Sequence, residues 1–290
     1  MRHLKRYSQL FENAQELTQE QKDWLDECTR GSWKLNSKTG LVDVSGRFYC
    51  YGQGLDSFKG VRFGHISGDF YCHDNSLTSL EGAPQSVSGH FDCSDNRLTS
   101  LEGAPQSLGG WFDCSDNRLT SLKGAPRKLS DGFACSDNRL TSLEGAPQSV
   151  DEYFACSNNK LTTLEGAPER VETLKCSGNK LTSFKGGPKN IGGALFCSSN
   201  EITSLEGFPE KFLAYGFSSV EASGNPISER TIKGLLMRIS ESPSLEQAVE
   251  GYWKSIPNND RVYLAKHHPN LPEDKKRGYE ALAKFKGKII

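Results

Sequence analysis

Nine cysteines are the residues of this chain best suited to metal ligation, disulfide formation or nucleophilic attack. Eight of them keep a beat. Cys50, Cys72, Cys93, Cys114, Cys135, Cys156, Cys176 and Cys197 follow one another at intervals of 22, 21, 21, 21, 21, 20 and 21 residues, and Cys28 stands apart. No C-x₂-C pair occurs, so the ligand spacing of a structural zinc site is missing. Disulfides between equivalent positions of a stacked repeat would join side chains that run parallel, and would spoil the repeat. The period therefore reads as a column of small buried thiols. Free thiols in turn imply a reducing compartment, the cytoplasm.

A second group with chemical potential is His73 and His90 together with Asp69 and Asp92. Two imidazoles and two carboxylates suffice in number for a metal. A strand face open to water, however, offers few outer partners to orient such ligands. No G-x-S-x-G or Walker sequence is present. The expectation is a protein that is not an enzyme and has no cofactor; a metal-dependent enzyme on this face is the lesser alternative.

The element that must position these residues is set by the period itself, since self-similarity every twenty-odd residues marks a solenoid. Two residues before the successive cysteines stand Phe48, Phe70, Phe91, Phe112, Phe133, Phe154, Leu174 and Leu195. Three after them stand Gln53 and then Asn75, Asn96, Asn117, Asn138, Asn159, Asn179 and Asn200. Leu or Ile follows at five, and Leu or Phe at eight. A Gly comes next, and from the second coil on a Pro. Numbering coils by their cysteines gives eight. Val220, Ala222, Asn225 and Ile227 fill the same slots in a ninth, after an insertion around residues 212–217. Phe and Cys alternate with polar residues, the period of a strand, so they point inward and their neighbours outward. Stacked coils then form a parallel sheet with strands about 4.8 Å apart. Each Asn sits where the chain leaves the strand, placed to bond the backbone of adjacent coils. The return Leu-Thr-Ser-Leu-Glu-Gly-Ala-Pro is too short and too rich in Gly and Pro for a helix.

The pattern F-x-C-x-x-N-x-L-T-x-L resembles the leucine-rich repeat signature. Its short period and Pro-containing return are similar to the bacterial subclass found in secreted effectors. The wording Phe-Asp-Cys-Ser-Asp-Asn-Arg-Leu-Thr-Ser-Leu-Glu-Gly-Ala-Pro at residues 91–105, and the lead-in Gly-Leu-Val-Asp-Val-Ser-Gly at 40–46, resemble repeat proteins of large tailed bacteriophages. The resemblance covers about residues 40–227. It implies a leucine-rich-repeat solenoid with a parallel sheet on one face, non-helical returns and helical ends. Some effectors of the subclass carry a ubiquitin-ligase domain with a nucleophilic Cys after the repeats. No Cys follows Cys197 here, so that activity does not carry over.

The expected organisation is a helical and hairpin cap over 1–45, the solenoid over 46–227 and a helical cap or small module over 228–290. A helix is expected over 8–29, broken by Gly31-Ser32-Trp33, then a hairpin over 33–44. After Asn225-Pro226, helices are expected over 227–239, 242–255, 258–267 and 272–285. Composition agrees with a soluble chain. The 290 residues carry a formal net charge of −1, which argues against general nucleic-acid binding. No apolar run approaches the length of a membrane span, and the basic start lacks the apolar stretch of a secretory signal. Charge is uneven: residues 46–225 hold 16 basic against 21 acidic side chains, and 226–290 hold 12 against 8.

Recognition residues are sought where the repeat is broken on the outward strand face. These are Tyr49 and Tyr51 on coil one, Asp69, Tyr71 and His73 on coil two, His90 and Asp92 on coil three, Trp111 and Asp113 on coil four, and Tyr153 on coil six. Aromatic residues of this kind concentrate at interface hot spots, and the acidic ones would steer a basic partner. Tyr71, Asp92, Trp111 and Asp113 are expected in equivalent positions, with Trp111 an exposed anchor. Asp95, Asp116 and Asp137 recur with the period and are expected to pair with Arg97, Arg118 and Arg139. The function expected is non-catalytic binding of a protein with a basic surface; under the phage resemblance this is a host bacterial protein, sequestered or inhibited, such as a defence factor. The alternative is a structural or assembly component of a virion.

Overall fold

The structure, a computed structural model, describes residues 16–212 and 220–239 together with 247, 252, 255–257 and 259–261. Residues 8–15 of the expected first helix, and most of the expected helices beyond 240, lie outside the described residues.

Helix α1 (Gln19–Cys28) starts in a capping box. The Thr18 hydroxyl accepts from the Gln21 backbone N–H at 3.2 Å, and the Gln21 side chain accepts from the Thr18 N–H at 2.9 Å. Its buried face is Trp24, Leu25 and Cys28, which closes the first coil; the Trp24 ring meets Phe48 edge-on at 5.3 Å. The helix ends earlier than the sequence suggested. Thr29 is already extended, and the chain runs straight into β1 (Thr29–Asn36), which pairs antiparallel with β2 (Leu41–Tyr49). Gly31-Ser32-Trp33 thus lies inside a strand and breaks no helix. The Asn36 side chain accepts from the N–H groups of Lys38 and Thr39 and closes the intervening turn.

From β2 onward the chain is a parallel β-solenoid. One ladder carries the Phe positions in register, from Phe48 through Phe70, Phe91, Phe112, Phe133, Phe154, Leu174 and Leu195 to Val220. The six Phe rings stack at 5.3 to 5.7 Å and are fully buried, with Cys and Leu columns beside them. A second ladder was not anticipated. It joins Val42 to Phe63 and Ile66 to Val87 and Leu108 ahead of the Phe positions, and reappears as Val171, Ile191 and Phe212 near the far end. β2 carries both ladders, with a register irregularity between Val42 and Val44. The signal lay in the Ser-Val or Ser-Leu that follows the Pro, too short a pair to read as a strand.

The Asn column works as a polar spine. Asn96 Oδ1 accepts from the Leu77 N–H at 2.9 Å, and its Nδ2 donates to the carbonyls of Cys72, Cys93 and Ser94. One amide thus bonds its own coil and the preceding one, and the arrangement recurs through Asn225. Coil one has no solenoid coil before it and carries Gln53 instead. The longer amide reaches α1, accepting from Trp24 Nε1 at 2.9 Å and donating to Cys28 Sγ at 3.4 Å.

The expected pairing of Asp95, Asp116 and Asp137 with Arg97, Arg118 and Arg139 does not occur; none of these makes an ion pair among the described residues. The aspartates sit at φ of 49°, 51° and 54°, and Asp74, Asn158, Gly178 and Ser199 take the same left-handed conformation in their coils. Asp and Asn tolerate that conformation better than most residues. The turn, and not a cation, therefore explains the repeat. Helix α2 (Glu229–Ile239) follows the ninth coil with Ile232, Leu235 and Leu236 buried. Its first turn is tied down by Asp260, which accepts from the Thr231 and Ser228 hydroxyls.

Candidate partner-binding face

Three outward columns run along the first ladder. The column before Phe reads Arg47, Asp69, His90, Trp111, Gly132 and Tyr153 through coils one to six. The column between Phe and Cys reads Tyr49, Tyr71, Asp92, Asp113, Ala134 and Ala155, and the column after Cys begins Tyr51, His73, Ser94 and Ser115. Trp111 therefore belongs to a different column from Tyr71, Asp92 and Asp113, which corrects the expectation of equivalent positions. It is half-buried, not exposed. Tyr51, at 50% exposure, is the exposed large hydrophobic side chain of the described residues.

The rings on this face stack on one another. Tyr49 lies on Tyr71 at 5.2 Å and 6°, and Tyr51 on His73 at 4.8 Å and 5°. Trp111 lies on His90 at 4.9 Å and on Tyr71 at 6.1 Å, so side chains of three successive coils form one aromatic body. Tyr153 stands apart, two coils on. Its ring lies back over Gly132, where a Cβ would fall 2.1 Å from the ring. His90 lies over Gly110 in the same manner. Small residues under the large ones let the rings lie down on the sheet.

Backbone N–H groups between the two ladders find side-chain acceptors here. The His90 N–H donates to Asp69 Oδ1 at 3.0 Å, and the Trp111 N–H donates to His90 Nδ1 at 3.1 Å. The second bond assigns neutral His90 the tautomer protonated at Nε2. Asp69 Oδ2 lies 3.1 Å from Arg47 Nε. Asp92 accepts from the Ser94 N–H at 3.0 Å and hydroxyl at 2.6 Å, and its other oxygen stands 3.3 Å from His73 Nδ1, without hydrogen-bond alignment. Asp113 accepts from the Ser115 N–H at 2.8 Å. His90 and His73 thus face different carboxylates, and among the described residues no group of three His, Cys, Asp or Glu is placed to hold a metal ion.

Burial pushes the Asp113 carboxyl above its ordinary range, with Asp92 and Asp116 adding to the shift and the Ser115 hydrogen bonds opposing it. The Tyr153 hydroxyl is pushed up strongly, first by burial and then by Asp113, Asp131, Asp92 and Glu152. Four carboxylates act on that one hydroxyl. All nine cysteines are buried free thiols, and burial is the first cause of the rise for each.

Among solved structures the chain is similar to YopM from Yersinia enterocolitica WA-314, at 25% identity and a TM-score of 0.41. The likeness covers 58% of this chain and 46% of that one, so the chain spans less than half of YopM's length. No family model and no curated protein matches the chain.

All ten residues singled out in the sequence lie on the outward face of coils one to six, and the rings and carboxylates of coils two to four meet there. Sequence reasoning passed over Asp131, whose Oδ2 stands 4.0 Å from His90 Nδ1, and placed Lys175 on the outward strand face without counting it among the candidates; its Nζ lies 5.8 Å from the Tyr153 ring centre. Gly132 was the available signal: it is the one Gly in its column through coil six, and it marks where a neighbouring side chain must lie flat.

Proposed function

We propose that this chain is a non-catalytic protein-binding scaffold whose recognition surface is the aromatic and acidic strand face of coils one to six. The observation that carries this is the contrast within each coil. Core, Asn spine and returns repeat almost unchanged, whereas this face varies and concentrates rings and carboxylates. Solenoids present such surfaces to partners, and the carboxylates suit a partner with a basic surface. Among the described residues no helix is long and apolar enough to cross a membrane. The resemblance of the repeat wording to proteins of large tailed phages supports a host bacterial protein as the partner, held or inhibited in the host cytoplasm, and nine free thiols suit that compartment.

Affinity capture from bacterial lysate with mass spectrometry tests this, with wild type, Trp111→Ala and Ser142→Ala as baits. The expected result is a stoichiometric partner retained by Ser142→Ala, on a return segment, and lost by Trp111→Ala. A partner held equally by all three baits would shift recognition away from this face. Stoichiometric presence of the chain in purified phage particles would replace the host-directed role by a structural one.

A further inference from the structure

Along the outward face the carboxylates are met in turn by a group from the preceding coil. Arg47 serves Asp69 at 3.1 Å, and the His73 imidazole, a cation when protonated, stands 3.3 Å from Asp92. Coil three offers Ser94 where coil two has His73, and the Ser94 hydroxyl is already given to Asp92. Asp113 accordingly has no cationic partner among the described residues and bonds Ser115 alone. It is nevertheless paired across the ladder with Asp92, and like charges placed opposite one another destabilise a sheet. The fold does not require a carboxylate at this position, because the next two coils carry Ala134 and Ala155 there.

The surroundings specify what kind of group would repay that cost. Trp111 stacks on His90 and Tyr71, both from the N-terminal side. On its other side the next coil carries Gly132, which has no side chain, and Tyr153 reaches back over that glycine from coil six. Asp113 stands two residues after Trp111 on the same coil, and its charge acts on the Tyr153 hydroxyl. A planar guanidinium stacks on aromatic faces and pairs with a carboxylate through two parallel N–H donors, whereas an ammonium is a strongly hydrated point charge without that fork. Resting on the reading of this face as a protein-binding surface, we propose that Asp113 receives an arginine side chain of the partner, seated between Trp111 and Tyr153.

The test is calorimetric titration of the full chain with hexa-arginine and hexa-lysine peptides at matched ionic strength, with the Trp111 indole N–H followed by NMR. The expected result is hexa-arginine binding roughly tenfold tighter than hexa-lysine, with a shift of the Trp111 signal. Asp113→Asn should abolish the preference without lowering the melting temperature, and Asp95→Asn, an exposed turn carboxylate, should leave it intact. Gly132→Ala, which drives the Tyr153 ring off the sheet, should weaken it. Equal affinities for the two peptides, or unchanged hexa-arginine affinity in Asp113→Asn, would overturn the proposal. A captured partner that is lost with Trp111→Ala but fully retained with Asp113→Asn would leave the strand-face reading standing and refute the arginine anchor. Arginine preference abolished by Asp113→Asn would support the anchor even where capture fails.

Discussion

The Tyr71 and Trp111 rings stack at 6.1 Å and 15° although a whole coil separates them in the solenoid. Coil three between them supplies Asp92 and His90, and its His90 ring lies on the same indole. A repeat that only had to stack would place like on like, as the Phe column does. Here three different side chains from three coils make one surface, and that surface is absent from the plainer coils beyond Tyr153.

Trp111→Ala should weaken partner binding by roughly 2 kcal/mol or more, the loss typical of a hot-spot aromatic. Because the ring also packs on Tyr71 and His90, a modest fall in melting temperature should accompany it. Titration calorimetry and thermal melts separate the two. An affinity equal to wild type would show that the aromatic body belongs to the fold and not to recognition.

Asn117→Ala tests the polar spine. Asn117 Nδ2 donates to the carbonyls of Cys93, Cys114 and Ser115, and Oδ1 accepts from the Leu98 N–H at 2.9 Å. Its removal leaves buried backbone groups unpaired, at a cost of about 1–3 kcal/mol. Thr120→Ala, on the exposed side of the same coil, should stay within about 0.5 kcal/mol. Urea unfolding of both variants gives the comparison, and equal midpoints would contradict the inward orientation of the Asn column.

The solenoid was legible because its constraints are periodic. Phe112, Cys114, Asn117 and Leu119 each recur every coil, so a single period fixes what is inside. The second ladder was not legible, since Ser107-Leu108 is a two-residue strand that only its neighbours stabilise. Trp111 lies on the outward face but half-buried, and its environment could not be read from its own column. It depends on the small Gly110 beneath His90 and on the lean of Tyr71 across coil three, both set by packing between coils. The repeating aspartates misled for a related reason: Asp116 is held to its position by a left-handed φ of 51°, a backbone property with no trace in charge pattern.

The thiols give a test that needs no variant. Burial raises the Cys72, Cys114 and Cys156 groups well above ordinary thiols, so little reactive thiolate exists at neutral pH. Native protein should react slowly with a thiol reagent. Denatured protein should react at nine sites without reductant, matching the nine buried free cysteines. Fewer sites after denaturation would reveal disulfides or bound metal, and the case for a reducing compartment would fall.

Asp113 makes the pH dependence of stability informative. Its folded-state carboxyl titrates above the unfolded one, because burial and Asp92 disfavour the charge. The folded chain therefore holds this proton more tightly than the unfolded chain. The associated stability is fully present below the unfolded value of 3.8 and is lost as pH rises through the folded one. Asparagine keeps an oxygen to accept from the Ser115 N–H and carries no charge. Asp113→Asn should consequently melt higher than wild type at pH 7, with the difference shrinking towards pH 3. Thermal melts across that range check it. A variant that melts lower at pH 7 would mean the carboxylate is there to stabilise the fold. A variant that melts higher would leave the carboxylate to be explained by something outside the chain, for a side chain that costs the protein stability at neutral pH is kept for what it binds.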